Sequence, residues 1–185
     1  LHKTSLCAEQ MLISVLRRAK LIFETTEEYV ENSVLNHFLR LKIDSKNFDI
    51  DQLELFSKLD DYDIISALKV WQGHDDFVLR TLSQMILNRD LLKIKLKSKR
   101  IESVKIEKVI HQCMDNFEIS ESEANFFILN GSTSNLAYSL KKEQINIWFK
   151  NGKIKDVSIA SDQLNLKALS KPVVKYYLCY PKVHN

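Results

Sequence analysis

Arg89 and Lys93 are the side chains whose types and spacing best suit chemistry on a charged ligand. They stand four residues apart, and in either a helix or a strand that spacing puts both on one side. A guanidinium fork and an ammonium group that converge in this way suit the oxygens of a triphosphate. A plain solvated basic face would carry the same two residues. The basic character continues beyond them: Lys93, Lys95, Lys97 and Lys99 alternate with Leu92, Ile94 and Leu96, and Arg100 follows. The simplest reading of that stretch is an edge strand guarded by lysines. A nucleic-acid contact is the alternative, weakened by the lack of interleaved aromatic residues.

Other chemistries are poorly served. The chain has 3 glycines and no glycine-rich phosphate loop. It has no Cys-x-x-Cys and no His-x-x-x-His, the usual zinc spacings. His2, His37, His74, His111 and His184 are isolated from one another. His74 and Asp75 are adjacent, but they follow Gly73 at a predicted helix start, where Asp75 serves better as an N-cap than as a metal ligand. Cys7, Cys113 and Cys179 are odd in number and far apart, which fits a reduced, cytoplasmic compartment. Cys7 and Cys113 fall on apolar helix faces, where thiols are inert.

The elements that position these residues are helical in the first half. Leu1, Ser5, Ala8, Leu12, Val15, Ala19 and Ile22 recur at spacings of three and four and predict an opening helix. No N-cap residue precedes it, so the pattern reads as a helix cut from a longer chain. Further helices are predicted over Glu27 to Leu39 and Asp51 to Leu59, and from Asp60-Asp61, where carboxylates favour a helix N-terminus, to Trp71. Gly73 suits a left-handed C-cap there. Another helix starts at Asp75-Asp76 and stops near Asn88. The period then shifts to two, and Leu92 to Lys99 reads as a half-buried strand.

A helix over Ser103 to Phe117 follows, then a brief turn with Ser120 and Glu123 as a capping box. Phe126 to Leu129 is an apolar run that Asn130-Gly131 should stop. Asn151-Gly152 signals a two-residue hairpin. A strict two-residue loop would place Asp156 opposite Ile147 on the apolar face, so a bulge or an early strand end is expected. Ser161 to Ser170 suits a short helix and Val173 to Tyr180 a final strand. The predicted fold is α+β: a mainly helical N-terminal half, then a small, mostly antiparallel sheet with flanking helices. Residues 1–100 form the helical segment ending in the basic strand, and residues 101–185 an α+β subdomain.

A chain of 185 residues buries roughly 70% of its unfolded surface and folds without disulfides or metal. Hydrophobic residues make up 45% and charged residues 28%, which excludes a disordered chain. With 27 basic and 24 acidic residues the net charge is +3, so any polyanion partner must be met by a local patch rather than by the chain as a whole. Apolar runs of about four residues are far below the ~20 that span a bilayer.

Three stretches resemble one family. Leu1-His2-Lys3-Thr4 with Ala8-Glu9-Gln10-Met11-Leu12 is similar to the helix after the last catalytic motif of HD-domain phosphohydrolases, the relatives of the dNTP triphosphohydrolase that joins a SAM domain to an HD domain. Leu59-Asp60-Asp61-Tyr62-Asp63 through Leu68 and Trp71, followed by Leu82 to Leu87 and Asn88-Arg89-Asp90-Leu91-Leu92-Lys93, resembles the later helical segment with its Arg-x-Leu-x-Lys signature. Gly131-Ser132-Thr133-Ser134-Asn135-Leu136-Ala137-Tyr138 and Ala168-Leu169-Ser170-Lys171-Pro172 resemble the C-terminal end of a bacterial subgroup.

The resemblance implies a parent enzyme that hydrolyses a nucleotide, a dNTP, by metal-activated water attack on phosphorus. The metal-binding histidines and aspartates, and an active-site tyrosine, would lie upstream of residue 1. This chain would then hold no catalytic residue and no metal. It would give homo-oligomer contacts and, at His2, Lys3, Arg89 and Lys93, the phosphate contacts of an effector nucleotide. A nucleic-acid-binding module and a pure oligomerisation domain are the competing readings.

Overall fold

The computed structural model describes residues 2–25, 33–42, 48–135, 145–156, 160 and 173–182. Among them the order is α1 (Lys3–Thr25), α2 (Val34–Arg40), α3 (Ile50–Phe56), α4 (Asp61–Trp71), α5 (Phe77–Leu87), β1 (Lys93–Lys97), α6 (Ser103–Phe117), α7 (Glu121–Ala124), β2 (Leu129–Asn135), β3 (Asn146–Trp148), β4 (Ile154–Asp156) and β5 (Val173–Tyr180). The architecture is α+β, as the sequence predicts. The first part of the helix expected over Glu27 to Leu39 and the whole of the one expected over Ser161 to Ser170 lie outside the described residues.

Most helix starts follow from side-chain caps. Ser33 accepts from the Asn36 N–H and Asp49 from the Gln52 N–H. Asp60 and Asp63 form a capping box at α4, and Ser120 and Glu123 form the expected one at α7. The cap of α5 is Asp76 rather than Asp75: its carboxylate accepts from the Leu79 N–H at 2.8 Å. Gly73 does not take the left-handed cap expected of it. The end of α4 closes instead with tight turns, Gly73 N–H to Val70 O and His74 N–H to Trp71 O. Among the described residues, the left-handed positions outside glycine go to Arg89 (φ 58°) and Glu118 (φ 53°).

One sheet, ordered β1-β5-β2, is antiparallel throughout. Residues paired across strands share a face. Ile94, Leu96, Leu129 and Gly131 therefore lie on the same face as Cys179 and Tyr177, and α1 covers that face. The Cys7 thiol donates to Leu92 O at 3.2 Å, the Leu92 N–H points to the Met11 sulfur at 3.4 Å, and the Tyr177 hydroxyl donates to Gln10 Oε1 at 2.8 Å. Lys93, Lys95, Leu178 and Tyr180 lie on the opposite face, under α6. The boundary drawn at residue 100 falls between β1 and α6, and β1 on one side of it is paired with β5 from the other.

The buried side of α1 runs through Leu6, Cys7, Met11, Ser14, Val15, Ala19 and Phe23. This is a rotation from the expected stripe, of which Val15 and Ala19 are retained while Ser5 is exposed. The helix carries apolar residues on more than one side, so periodicity alone does not choose its inner face. The sheet and α5 choose it.

Asn130-Gly131 does not stop the strand that follows Phe126; β2 runs through both. A Cβ on Gly131 would sit 2.7 Å from the Tyr177 hydroxyl oxygen and 2.9 Å from the ring carbon bearing it. Glycine is needed there because the Tyr177 ring lies across its backbone on the way to Gln10, not because the chain turns.

The β3–β4 register pairs Trp148 with Ile154 and Asn146 with Asp156. Phe149 N–H bonds Lys153 O, and Gly152 N–H bonds Phe149 O, so the loop has three residues, with Gly152 left-handed at φ 78°. That is a turn followed by a bulge. It moves Asp156 off Ile147, in line with the expected break from a strict two-residue loop.

Candidate functional site

Of the four residues expected to meet phosphate, two stand at the start of α1, Arg89 lies in the loop before β1, and Lys93 begins β1 on the sheet face opposite the one that α1 covers. His2 and Lys3 open α1 and are exposed. One helical turn further on, Cys7 bonds the carbonyl of Leu92, the residue before Lys93. The helix rises about 1.5 Å per residue, so Lys3 lies roughly one turn beyond that anchor on the same helical face. This packing sets the start of α1 beside the start of β1. Arg89 stands at the head of the short loop that leads into Leu92 and Lys93.

The loop is a Schellman motif. The Arg89 N–H bonds Ile86 O at 3.1 Å and the Asp90 N–H bonds Met85 O at 2.9 Å. This geometry corrects the spacing argument for Arg89 and Lys93. The helix ends at Leu87 and the strand begins at Lys93, so neither period runs across the pair. What relates them is the folded corner, with Arg89 at its left-handed turn. None of the four side chains has a hydrogen-bond or ion-pair partner among the described residues, which leaves them open to an anion.

A fifth group, not found from sequence, joins the corner. Lys182 follows the end of β5, and the pairing of Tyr180 with Lys93 brings it there. Its ammonium bonds Asp90 Oδ1 at 2.5 Å, and its charge reaches Cys7 at the base of the corner. Both partners are about half exposed, so the pair adds little stability. Its electrostatic effect is to offset the carboxylate at a place rich in cations. No local spacing could have shown this, because residues 90 and 182 meet only through the strand pairing.

His74 is not at this corner. Its Nδ1 accepts the Asp76 N–H at 2.9 Å, which leaves its other ring nitrogen to carry the proton in the neutral form. Asp76 in turn receives Arg18 at two points, 3.1 and 2.6 Å. His74 and Asp76 are thus held in a structural knot between α1 and α5. Among the described residues no group of three or more His, Cys, Asp or Glu side chains could hold a metal ion.

The cysteines are all free and buried. Burial pushes Cys113 up to about 11, and a hydrogen bond with Cys7, reinforced by burial, pushes Cys179 up as well. Neither is a nucleophile at neutral pH. No helix among the described residues is long and apolar enough to cross a membrane.

With the fold and this corner in place, comparison with solved structures relates the chain to phosphohydrolases. The particular relative is a phosphohydrolase from Bacteroides thetaiotaomicron VPI-5482, which is 41% identical and superposes with a TM-score of 0.87. The match covers 98% of this chain and 46% of that protein, so the chain spans less than half of its relative's length. No family model matches the chain, and no curated protein does.

Proposed function

We propose that this chain is the C-terminal, non-catalytic part of a metal-dependent nucleotide phosphohydrolase of the HD superfamily, acting on a dNTP. The observation that carries this is the 41% identity to a phosphohydrolase over 98% of the chain. The metal-binding residues of such an enzyme are assigned to the rest of the parent protein, and no catalytic step is assigned to this chain. Its role is regulatory and architectural. His2, Lys3, Arg89 and Lys93 form the phosphate contacts of an effector nucleotide. Their exposure supports that role. Exposed apolar groups elsewhere, Trp148 (80% exposed) and Ile154 (66%) on the hairpin and Phe56 (53%) on α3, supply contacts for a homo-oligomer.

The effector site is tested by titrating dGTP into the protein and its variants. Charge-assisted hydrogen bonds to phosphate contribute roughly 1.5–3 kcal/mol each, so Arg89→Ala and Lys93→Ala should each weaken binding by about tenfold or more. Lys69→Ala, at an exposed lysine on α4, should leave it unchanged. Equal affinities for all three variants and the parent would make Arg89 and Lys93 ordinary surface cations.

A further inference from the structure

The lysines of β1 do more than guard an edge. Helix α6 covers the outer face of the sheet over β5, where Leu178 is 4% exposed, and leaves a cavity of about 680 Å³ beside β1. One wall is the strand and its exit, with Lys95, Lys97, Lys99 and Arg100; the other is α6, with Lys105 and Lys108. The floor is apolar: Ile101, Val109 and Leu178, with the Tyr180 ring at one end. The volume lies within the range of small-molecule sites, which combine an apolar lining with a few convergent polar groups.

The charge is one-sided. The six cations face one carboxylate in the lining, Glu102, and Lys105 already bonds it at 2.7 Å. Lys97, Lys99, Arg100 and Lys108 have no acidic partner among the described residues. Net charge over the whole chain is only +3, so this is a local concentration of unmatched cations. Edge protection explains lysines on β1. It does not explain cations converging on the same cavity from α6, an element that is no sheet edge. Nor does it explain an apolar floor beneath them.

We propose that this cavity binds a small organic polyphosphate of the nucleoside triphosphate class, its phosphates between the β1 and α6 cations and its base on the apolar floor. A single-stranded nucleic acid fits less well. Such strands are gripped by several aromatic side chains that stack successive bases, and this cavity has one, Tyr180, over which the Lys95 ammonium already lies 5.2 Å from the ring centre. The inference rests on the cavity alone and is independent of the corner at Arg89.

The test follows backbone amide resonances of the metal-free chain during titration with dGTP, inorganic triphosphate and a single-stranded oligodeoxynucleotide. The expected result is that dGTP moves the resonances of Lys97, Arg100, Val109 and Gln112. It should do so at a concentration at least tenfold below that needed for inorganic triphosphate. Roughly tenfold is lost for each phosphate contact removed, so Lys97→Gln with Lys108→Gln should weaken this response about a hundredfold. Arg89→Ala should leave it within about twofold, since Arg89 does not line the cavity. An unchanged response in the Lys97/Lys108 variant would overturn the proposal. So would equal affinity for inorganic triphosphate, or affinity for the oligonucleotide that rises with its length and exceeds that for dGTP.

Discussion

Replacing Phe127 with alanine should lower the free energy of unfolding by about 3–5 kcal/mol, the cost of emptying a large buried site. Phe127 is fully buried. Its ring centre lies 5.2 Å from that of Phe117 and 6.2 Å from that of Phe77, and Phe77 and Phe117 are 5.7 Å apart. These distances are those of mutually attractive aromatic pairs. Phe77 opens α5, Phe117 closes α6, and Phe127 leads into β2, so the cluster joins residues on both sides of residue 100. The loss should therefore reach the whole chain. In urea, the fluorescence of Trp71 in a Trp148→Phe background and the far-ultraviolet dichroism should shift together. Two separate transitions, with Trp71 unaffected, would show that the halves do not share a core.

Asp76→Ala should cost about 2–4 kcal/mol. The aspartate caps α5, which contributes ~1 kcal/mol. It also holds Arg18 by two hydrogen bonds to charged groups, worth roughly 1.5–3 kcal/mol. Arg18 and Asp76 are mostly covered, with side chains 20% and 16% exposed, so removing one leaves the other poorly solvated. Asp76→Asn keeps a capping oxygen and loses the charge, and should cost less. The effect depends on pH. Burial opposes ionisation of Asp76, but hydrogen bonds from Arg18 and the Leu79 N–H, with the charges of Arg18 and His74, outweigh it and hold the carboxyl below the usual range. A lowered folded pKa stabilises the fold fully above the unfolded value of about 3.9 and loses that contribution as pH falls through the folded pKa. The gap between wild type and Asp76→Ala should thus be constant at neutral pH and close in that acid window. A gap independent of pH down to full acid unfolding would contradict the ion pair.

What the sequence disclosed was local. The span of α6, the carboxylate start of α4 at Asp60, the capping box at Ser120 and the period-two β1 depend on neighbours a few residues apart, and all were legible. What it hid was set by distant partners. Gly131 reads as a turn until Tyr177 is seen lying across it. Arg18 is paired with Asp76, 58 residues away, which no local spacing could show. The same-side placement of Arg89 and Lys93 argued from their spacing does not hold, since a Schellman turn and not a regular period lies between them. Lys182 and the α6 wall of the basic cavity could not be read at all. Both depend on how β5, more than 70 residues after β1, completes the sheet.

Under the proposed function, this chain would belong to a larger nucleotide phosphohydrolase without itself performing the reaction. The most direct measurement is triphosphate and phosphate release from dNTPs with manganese, made in parallel on this chain and on a longer protein that contains it. The expected result is metal-dependent release by the longer protein and none by the chain. Turnover by the chain that survives repurification and scales with its concentration, or a longer protein that releases nothing from any dNTP, would contradict it.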